Sequence, residues 1–163
     1  MDNLIYQIFE KTKSKDEKVS SNAVTDLCCI LEINSWHMSE DMRASRFGGL
    51  VSQAVIDVEI DEHHEVEIVN FLYSEIVNGN KLISSMLFTL GQASSKTALR
   101  PLINIIEQRL DKFTENEFYQ ALVSLERLLF FDESLSLEEE KNIIAKTNLL
   151  SLISMKILDS ALS

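Results

Sequence analysis

The chain has 163 residues, which is enough for one folded domain with a sizeable core, and its formal net charge at pH 7 is −11. It contains only four glycines and one proline, so the composition predicts a single domain over residues 1–163 with few linkers. Because a strongly negative protein repels phosphate backbones, the charge argues against nucleic acid as a direct ligand.

The sequence also carries no signal for a membrane or for export. No apolar run approaches the eighteen or so residues of a membrane span. The N-terminus lacks the basic start and the apolar middle of a signal peptide. We therefore expect a cytoplasmic protein that does not contact a membrane.

Helical periodicity begins at the N-terminus. A first short helix is predicted by four apolar residues at helical spacing, namely Leu4, Ile5, Ile8 and Phe9. The charged stretch 11–18 predicts a turn or a frayed end, and a second helix follows from about Asn22 to Asn34. In this helix Cys28 and Cys29 are flanked by apolar residues, which favours small core residues over a disulfide bond or a reactive thiol.

Ser39 is the predicted N-cap of a third helix, with Glu40 and Asp41 in the first turn, where acids interact favourably with the helix dipole. Apolar residues at helical spacing extend this helix to Val58, across the glycine pair 48–49. Two interior glycines cost about 1 kcal/mol each relative to alanine. We therefore expect either a closely packed neighbouring helix or a bend at that pair.

The stretch 56–71 fits two structures. Apolar residues alternate with acids on both sides of residues 61–64, which is typical of a β-hairpin. The same residues also continue helical stripes on both sides, and the second stripe runs to the stop signal Asn78-Gly79. We favour two helices because the stripes extend beyond the alternating part.

Residues 81–110 predict a helix-turn-helix pair in which each helix has one apolar face. Gly91 is expected to end the first helix in a left-handed conformation, and Ser94 or Ser95 to cap the second. Pro101 is expected near the start of that helix, where amide groups have no intrahelical partner. Such a pair cannot bury both faces alone, so the sequence predicts a stack of similar units.

The remaining elements are also helical. Thr114 and Glu117 match a capping box at the start of a further helix. A last helical region is predicted from about Ser136, with a break near Thr147 and Asn148. The total is an all-α protein of about eight helices with short connections.

Two segments resemble a known family. Residues 87–102, Leu-Phe-Thr-Leu-Gly-Gln-Ala-Ser-Ser-Lys-Thr-Ala-Leu-Arg-Pro-Leu, resemble the HEAT-type repeat, in which a Leu-Gly pair ends the first helix and alanine, leucine and proline open the second. Trp36-His37 followed by Glu40-Asp41 is similar to a signature of small bacterial HEAT-like proteins, several of which are immunity proteins of polymorphic or contact-dependent toxin systems. The resemblance implies an α-solenoid of HEAT-like hairpins that works by binding another protein.

The negative charge is concentrated in one interval. No lysine or arginine occurs between Arg46 and Lys81. An acidic surface attracts basic protein surfaces, although it also serves simply to keep a protein soluble. We predict a partner-binding surface made of the acids in this interval and of a second patch on a later turn, namely Asp57, Glu59, Asp61, Glu62, Glu65, Glu67, Asp132 and Glu133.

Two clusters could in principle support chemistry. Trp36, His37, Glu40 and Asp41 combine a histidine with carboxylates, but we expect Trp36 to fill the angle between two helices. The polar groups are expected either to hydrogen-bond across the turn or to cap the third helix. On one helix, Glu59, His63 and Glu67 would share a face and could hold a divalent ion, although a solvated polar face explains them better. No nucleotide-binding or hydrolase motif occurs. We therefore predict no enzyme activity, no cofactor and no metal.

Three functions fit this sequence. The first is an immunity protein that covers the basic substrate-binding cleft of a toxin domain, most plausibly a nuclease. The second is a HEAT-like adaptor or scaffold that binds a partner unrelated to any toxin. The third, an enzyme or DNA-repair protein on helical repeats, needs a basic groove, and the sequence supports that poorly.

Overall fold

The computed structural model describes residues 2–162, so residues 1 and 163 of the predicted domain lie outside the described residues. Over that range the protein contains ten α-helices and no strand, which confirms the all-α prediction. The helices are α1 (Asp2–Thr12), α2 (Glu17–Ser35), α3 (Glu40–Phe47), α4 (Gln53–Asp57), α5 (Glu62–Val77), α6 (Ile83–Leu90), α7 (Ser95–Arg109), α8 (Glu115–Phe130), α9 (Leu137–Ala145) and α10 (Leu149–Leu162), with one turn of 3-10 helix at Leu110–Lys112.

The longer helices pack in two rows. In one row α6 lies between α2 and α8, and in the other α7 contacts both α5 and α10. The rows are joined because α1 packs on α2 and α5, while α7 packs on α8. The buried faces of these helices are aliphatic and form one core, in which Leu27, Ile68, Leu87, Leu99 and Leu128 are fully buried.

The second helix begins five residues earlier than the apolar pattern predicted. Asp16 is its N-cap, and the Asp16 carboxylate accepts the backbone amides of Lys18 and Val19. The charged stretch that was expected to be a turn therefore supplies the first turn of α2. Charged side chains can occupy that turn because it is exposed to solvent.

The predicted long third helix is in fact two short helices. Ser39 caps α3 as expected, since its side chain accepts the amide of Met42. The helix then ends at Phe47, and Gly49 takes φ 79°, a left-handed conformation that glycine adopts without steric cost. The glycine pair thus ends α3 rather than bending it. This split and the break between α9 and α10 bring the number of helices to ten.

The stretch 56–71 contains two helix segments and no hairpin. Helix α4 ends at Asp57, α5 begins at Glu62, and the backbone between them is extended at Val58 and Asp61. The side chain of Asn34 binds this extended segment through the Val58 carbonyl (3.3 Å) and the Ile60 amide (3.0 Å). The alternation of apolar and acidic residues therefore reflects a short extended connection that is tied to α2.

Gly91 ends α6, but the expected left-handed conformation is wrong. Its φ is −66° and its ψ is −11°, which any residue can adopt. A Cβ at this position would lie 2.6 Å from the Ser124 Cβ and 2.8 Å from the Ser124 Cα. Glycine is needed here because α6 and α8 approach each other closely, not because the backbone turns.

Pro101 also differs from its prediction. It is the seventh residue of α7, inside the helix rather than in the first turn. Without an N–H, Pro101 donates no hydrogen bond to the carbonyl of Thr97, four residues earlier. Proline is tolerated at a helix start because the amides there have no intrahelical partner, and this reason does not apply to Pro101.

The predicted capping box of α8, the helix start near Ser136 and the later break are confirmed. Thr114 and Glu117 form a reciprocal capping box at the start of α8. Ser136 is the N-cap of α9 and forms a second capping box with Glu139. The predicted break near Thr147 and Asn148 separates α9 from α10.

Candidate protein-binding surface

Two of the predicted partner-binding acids, Glu65 and Asp132, are partly buried and accept hydrogen bonds at the N-terminus of α7. The carboxylate of Glu65 accepts the Ser94 amide at 2.6 Å and the Thr97 hydroxyl at 2.7 Å. The carboxylate of Asp132 accepts the Ser95 amide at 2.8 Å. These acids replace the expected serine cap, because Ser94 occupies the N-cap position but its side chain makes no capping hydrogen bond.

Three further acids of the set are paired on the surface. Asp61 caps α5, and hydrogen bonds from the amide and the ring of His64 hold the pKa of the Asp61 carboxyl below its ordinary value. Glu62 forms an ion pair with Lys96 at 2.8 Å, and this hydrogen bond raises the pKa of the Lys96 ammonium. Glu67 accepts the hydroxyl of Tyr6 at 3.2 Å.

The three residues considered as ligands for a divalent ion, Glu59, His63 and Glu67, do not share one helix face. Glu59 lies before α5 and contacts the guanidinium of Arg43 at 3.7 Å, so it does not share a helix with His63 and Glu67. The His63 Nε2 and the Glu67 Oε1 are 3.6 Å apart, while the Nδ1 of His64 faces the carboxylate of Asp61. Among residues 2–162, no group of three or more His, Cys, Asp and Glu side chains is arranged to hold a metal ion.

Two of the three remaining acids, Asp57 and Glu59, meet residues of the Trp-His…Glu-Asp segment in one groove. This groove lies between α3 and α4 and has a volume of about 590 Å³. Its acidic lining residues come from both predicted sets and are Glu40, Asp41, Asp57 and Glu59. We call it the acidic groove. Glu133, the last predicted acid, is exposed and lies apart on the turn after α8.

Arg43 is the only cation that lines the acidic groove. Its guanidinium is largely buried and donates to the carbonyls of Met38 (2.9 Å) and Ile56 (3.4 Å). Arg43 thus joins α3 to the end of α4, and it offsets the four carboxylates only in part because it carries a single positive charge. The groove therefore presents an excess of negative charge to solvent.

Trp36 does not fill the angle between two helices, as the sequence suggested. It is 52% exposed, and one face of its ring lies 5.4 Å from the guanidinium of Arg127. Ser39 alone caps α3 with its side chain, so His37, Glu40 and Asp41 do not have the capping role that was one of the two expected of them. His37 is exposed and takes φ 49°, which is uncommon for a residue with a side chain.

Arg127 is the residue that sequence reasoning missed. From α8 it donates to the carbonyls of Gly91, Gln92 (3.3 Å) and Ala93 (3.0 Å) in the turn between α6 and α7. Burial lowers the pKa of its guanidinium. Each of these partners is more than thirty positions away in sequence, so no local pattern around Arg127 indicates its role.

The two cysteines are core thiols, as predicted. Cys29 is buried and Cys28 is partly buried, and no disulfide joins them. Burial raises the pKa of Cys28 to about 12 and that of Cys29 to about 11. Both are therefore protonated and weakly nucleophilic at neutral pH.

Comparisons with known proteins found no match: no family model, no curated protein and no solved structure is similar to this chain. Within the described part of the chain, no helix has both the length and the apolar character needed to cross a membrane.

Proposed function

We propose that this protein is a helical-repeat binding module whose acidic groove receives a cationic surface of another protein. The observation that carries the proposal is the convergence of Glu40, Asp41, Asp57 and Glu59 on one open groove that contains a single, already engaged arginine. The two rows of packed helices are compatible with a HEAT-like α-solenoid, in which successive hairpins present an extended binding surface.

The partner that best fits the resemblance is a basic toxin domain, most plausibly a nuclease. Such an enzyme binds RNA or DNA through lysine and arginine side chains, and an acidic protein that covers those side chains occludes the substrate-binding surface. The chain is then an immunity protein that acts by binding in the cytoplasm and carries out no chemistry of its own. Charge complementarity accelerates association, which matters because a few free toxin molecules are harmful.

Charge reversal in the acidic groove tests this proposal. The variant Glu40→Lys/Asp41→Lys/Asp57→Lys changes three exposed acids whose removal breaks no contact between helices. The probe is the C-terminal domain of the protein encoded by the adjacent upstream reading frame, and we expect its association to slow by about ten- to a hundredfold at low salt. Surface plasmon resonance at two ionic strengths measures the effect, and coexpression with the toxin measures protection.

A matched control separates a local effect from one of net charge. The variant Glu17→Lys/Glu115→Lys/Glu126→Lys changes the charge by the same amount at exposed positions, two of them also in the first turn of a helix. We expect it to slow association much less. Equal association rates for the two variants would contradict the assignment of the acidic groove as the binding surface. Undiminished protection against the toxin by the groove variant would contradict the electrostatic mechanism.

An adaptor that binds a non-toxin partner is the alternative, and a second groove favours it. This groove of about 420 Å³ lies between α2, α6 and α8 and is lined by uncharged residues, including Thr25, Ser84, Phe88, Asn116 and Gln120. Neutral hydroxyl and amide groups around a half-exposed phenylalanine suit an uncharged peptide better than a basic protein. Substitution of Phe88→Glu tests this alternative, because it should abolish adaptor binding and leave toxin binding intact.

A further inference from the structure

Helix α10 has an uncovered apolar side. Its inner side contacts α7 and the 3-10 turn, with Leu149 buried and Leu152 and Ile153 partly buried. The opposite side carries five apolar residues that are between 51% and 86% exposed, namely Leu150, Met155, Ile157, Leu158 and Leu162. We call these five residues, together with Ser154, the outer side of α10. A contiguous apolar surface of this kind is uncommon on a protein that works alone.

Helix α1, which packs on α5 at the other side of that row, does not share this feature. Helix α1 exposes mainly polar side chains, including Asn3, Gln7, Glu10 and Lys11. In stacked helical proteins, a polar outer face is what allows a terminal helix to meet water. By this criterion the exposed side of α1 suits contact with water, whereas the outer side of α10 suits contact with a covering partner.

The charge of α10 indicates what covers it. Residues 147–162 contain only one cation, Lys156, and one anion, Asp159, in a chain whose net charge is −11. A basic partner therefore gains nothing at this surface. Two copies of the chain, which repel each other through their acidic surfaces, meet here with the least repulsion.

The outer side of α10 is also self-complementary. Leu150 and Leu158 lie four residues on either side of Ser154, so a two-fold axis through Ser154 places Leu150 of each copy against Leu158 of the other. Ser154 is small enough for two helices to approach closely. Its hydroxyl already donates to the Leu150 carbonyl at 2.7 Å, so covering it leaves no donor unsatisfied.

We propose that the protein forms a homodimer through antiparallel packing of the outer sides of α10 from two copies. The contact is independent of the acidic groove, which α3 and α4 form, so each copy keeps that surface for its own partner. A 14-residue helix is about 21 Å long, and a contact of that length is at the small end of protein interfaces. We therefore expect a dissociation constant of about 1–100 μM.

Sedimentation equilibrium of the full chain from about 1 μM to 500 μM tests the proposal over the affinity range expected for a small interface. The weight-average mass should rise from the 18.6 kDa of one chain towards twice that value. Leu158→Glu, which brings two charges into the contact, should weaken self-association at least tenfold. Circular dichroism of the variant should match the wild type, because Leu158 is 60% exposed.

Leu50→Glu is the matched control. Leu50 is 65% exposed in the connection between α3 and α4, so this variant makes the same chemical change at similar exposure on another surface. It should dimerise as the wild type does. A wild-type mass of one chain over the whole range would overturn the proposal, and so would a dimer that Leu158→Glu does not weaken.

Discussion

His37 carries backbone strain in an exposed position. It follows α2, where the Met38 amide donates to the Ile33 carbonyl (3.1 Å) and the His37 amide to the Asn34 carbonyl (3.3 Å). This is the Schellman arrangement, which places a left-handed residue at the position of His37 and favours glycine there. The left-handed conformation costs a residue with a side chain about 1–2 kcal/mol.

We therefore expect His37→Gly to raise the free energy of unfolding by about 0.5–1 kcal/mol, because the strain disappears while the unfolded chain gains some entropy. Urea denaturation measures this as a higher midpoint at an unchanged m-value. His37→Ala retains a Cβ and should bring no gain. An equal gain from alanine would mean that the imidazole, and not the backbone, is unfavourable in the native protein.

The buried thiols lead to a prediction about pH. The pKa of Cys28 is raised from 9.0 to about 12 and that of Cys29 to about 11, chiefly by burial. At pH 8 the folded protein should therefore react with Ellman's reagent at least about a hundredfold more slowly than the chain in denaturant, where a thiol titrates near pH 8.5. Rapid reaction of either thiol in the folded protein at pH 8 would contradict the raised pKa values of this pair.

The same shift has a consequence for stability. The pKa of each thiol is higher in the folded than in the unfolded state. The contribution of the protonated thiol to the free energy of unfolding is therefore complete below about pH 9 and is lost as the pH rises towards 11–12. The free energy of unfolding should therefore fall with alkaline pH. A Cys28→Ala/Cys29→Ala variant should lose less stability over that range.

At the scale of the element, α7 depends on carboxylates from other parts of the chain. Glu65 on α5 and Asp132 after α8 accept its first amides, and Ser134 accepts the amide of Lys96 at 2.9 Å. These contacts fix the start of α7 relative to its neighbours in both rows. Glu65 and Asp132, which the sequence predicted to bind a partner, thus hold helices of the protein together.

Asp132→Ala should lower the free energy of unfolding by about 1–3 kcal/mol, because it leaves the amide of the buried Ser95 without an acceptor. Glu133→Ala is the control. It removes the same charge from the adjacent residue, which is exposed, and its effect should stay within about 0.5 kcal/mol. Thermal and urea denaturation at pH 7 compare the two. Equal losses would show that the role of Asp132 is only that of a surface charge.

Local patterns predicted the helices, and tertiary contacts decided most of what the patterns missed. Capping residues such as Ser39 and Thr114 act within one turn, so their roles could be inferred from spacing alone. Gly91 is explained by the approach of Ser124 from another helix, and the extended segment after α4 is held by Asn34. Neither contact can be predicted from the residues that are adjacent in sequence.

The candidate surface was predictable only in part, for the same reason. The absence of lysine and arginine over a long interval correctly indicated an accumulation of acids. Which acids face solvent depends on where α7 starts and on where Lys96 lies, and the sequence shows neither. The acidic groove unites Asp57 with Glu40 because α3 and α4 pack together after the break at the glycine pair.

At the scale of the whole molecule, attraction and repulsion between charges compete. The chain has 26 acidic and 15 basic residues, so even complete pairing of the cations would leave carboxylates that repel one another. The ion pairs are few and mostly exposed, as in Lys96–Glu62, and exposed pairs of this kind contribute little to stability. Repulsion acts over longer distances, because in low salt the Debye length approaches the size of the molecule.

Salt should therefore stabilise this protein. Raising NaCl from about 10 mM to 1 M shortens the Debye length from about 30 Å to 3 Å and screens the repulsion between carboxylates more than it weakens the contact pairs. We expect the free energy of unfolding in urea to increase by about 1 kcal/mol, with KCl giving the same result. Because the Glu40→Lys/Asp41→Lys/Asp57→Lys variant carries less net charge, its increase should be smaller. A decrease in stability with salt would mean that the ion pairs, and not the excess of acids, dominate the electrostatics of the fold.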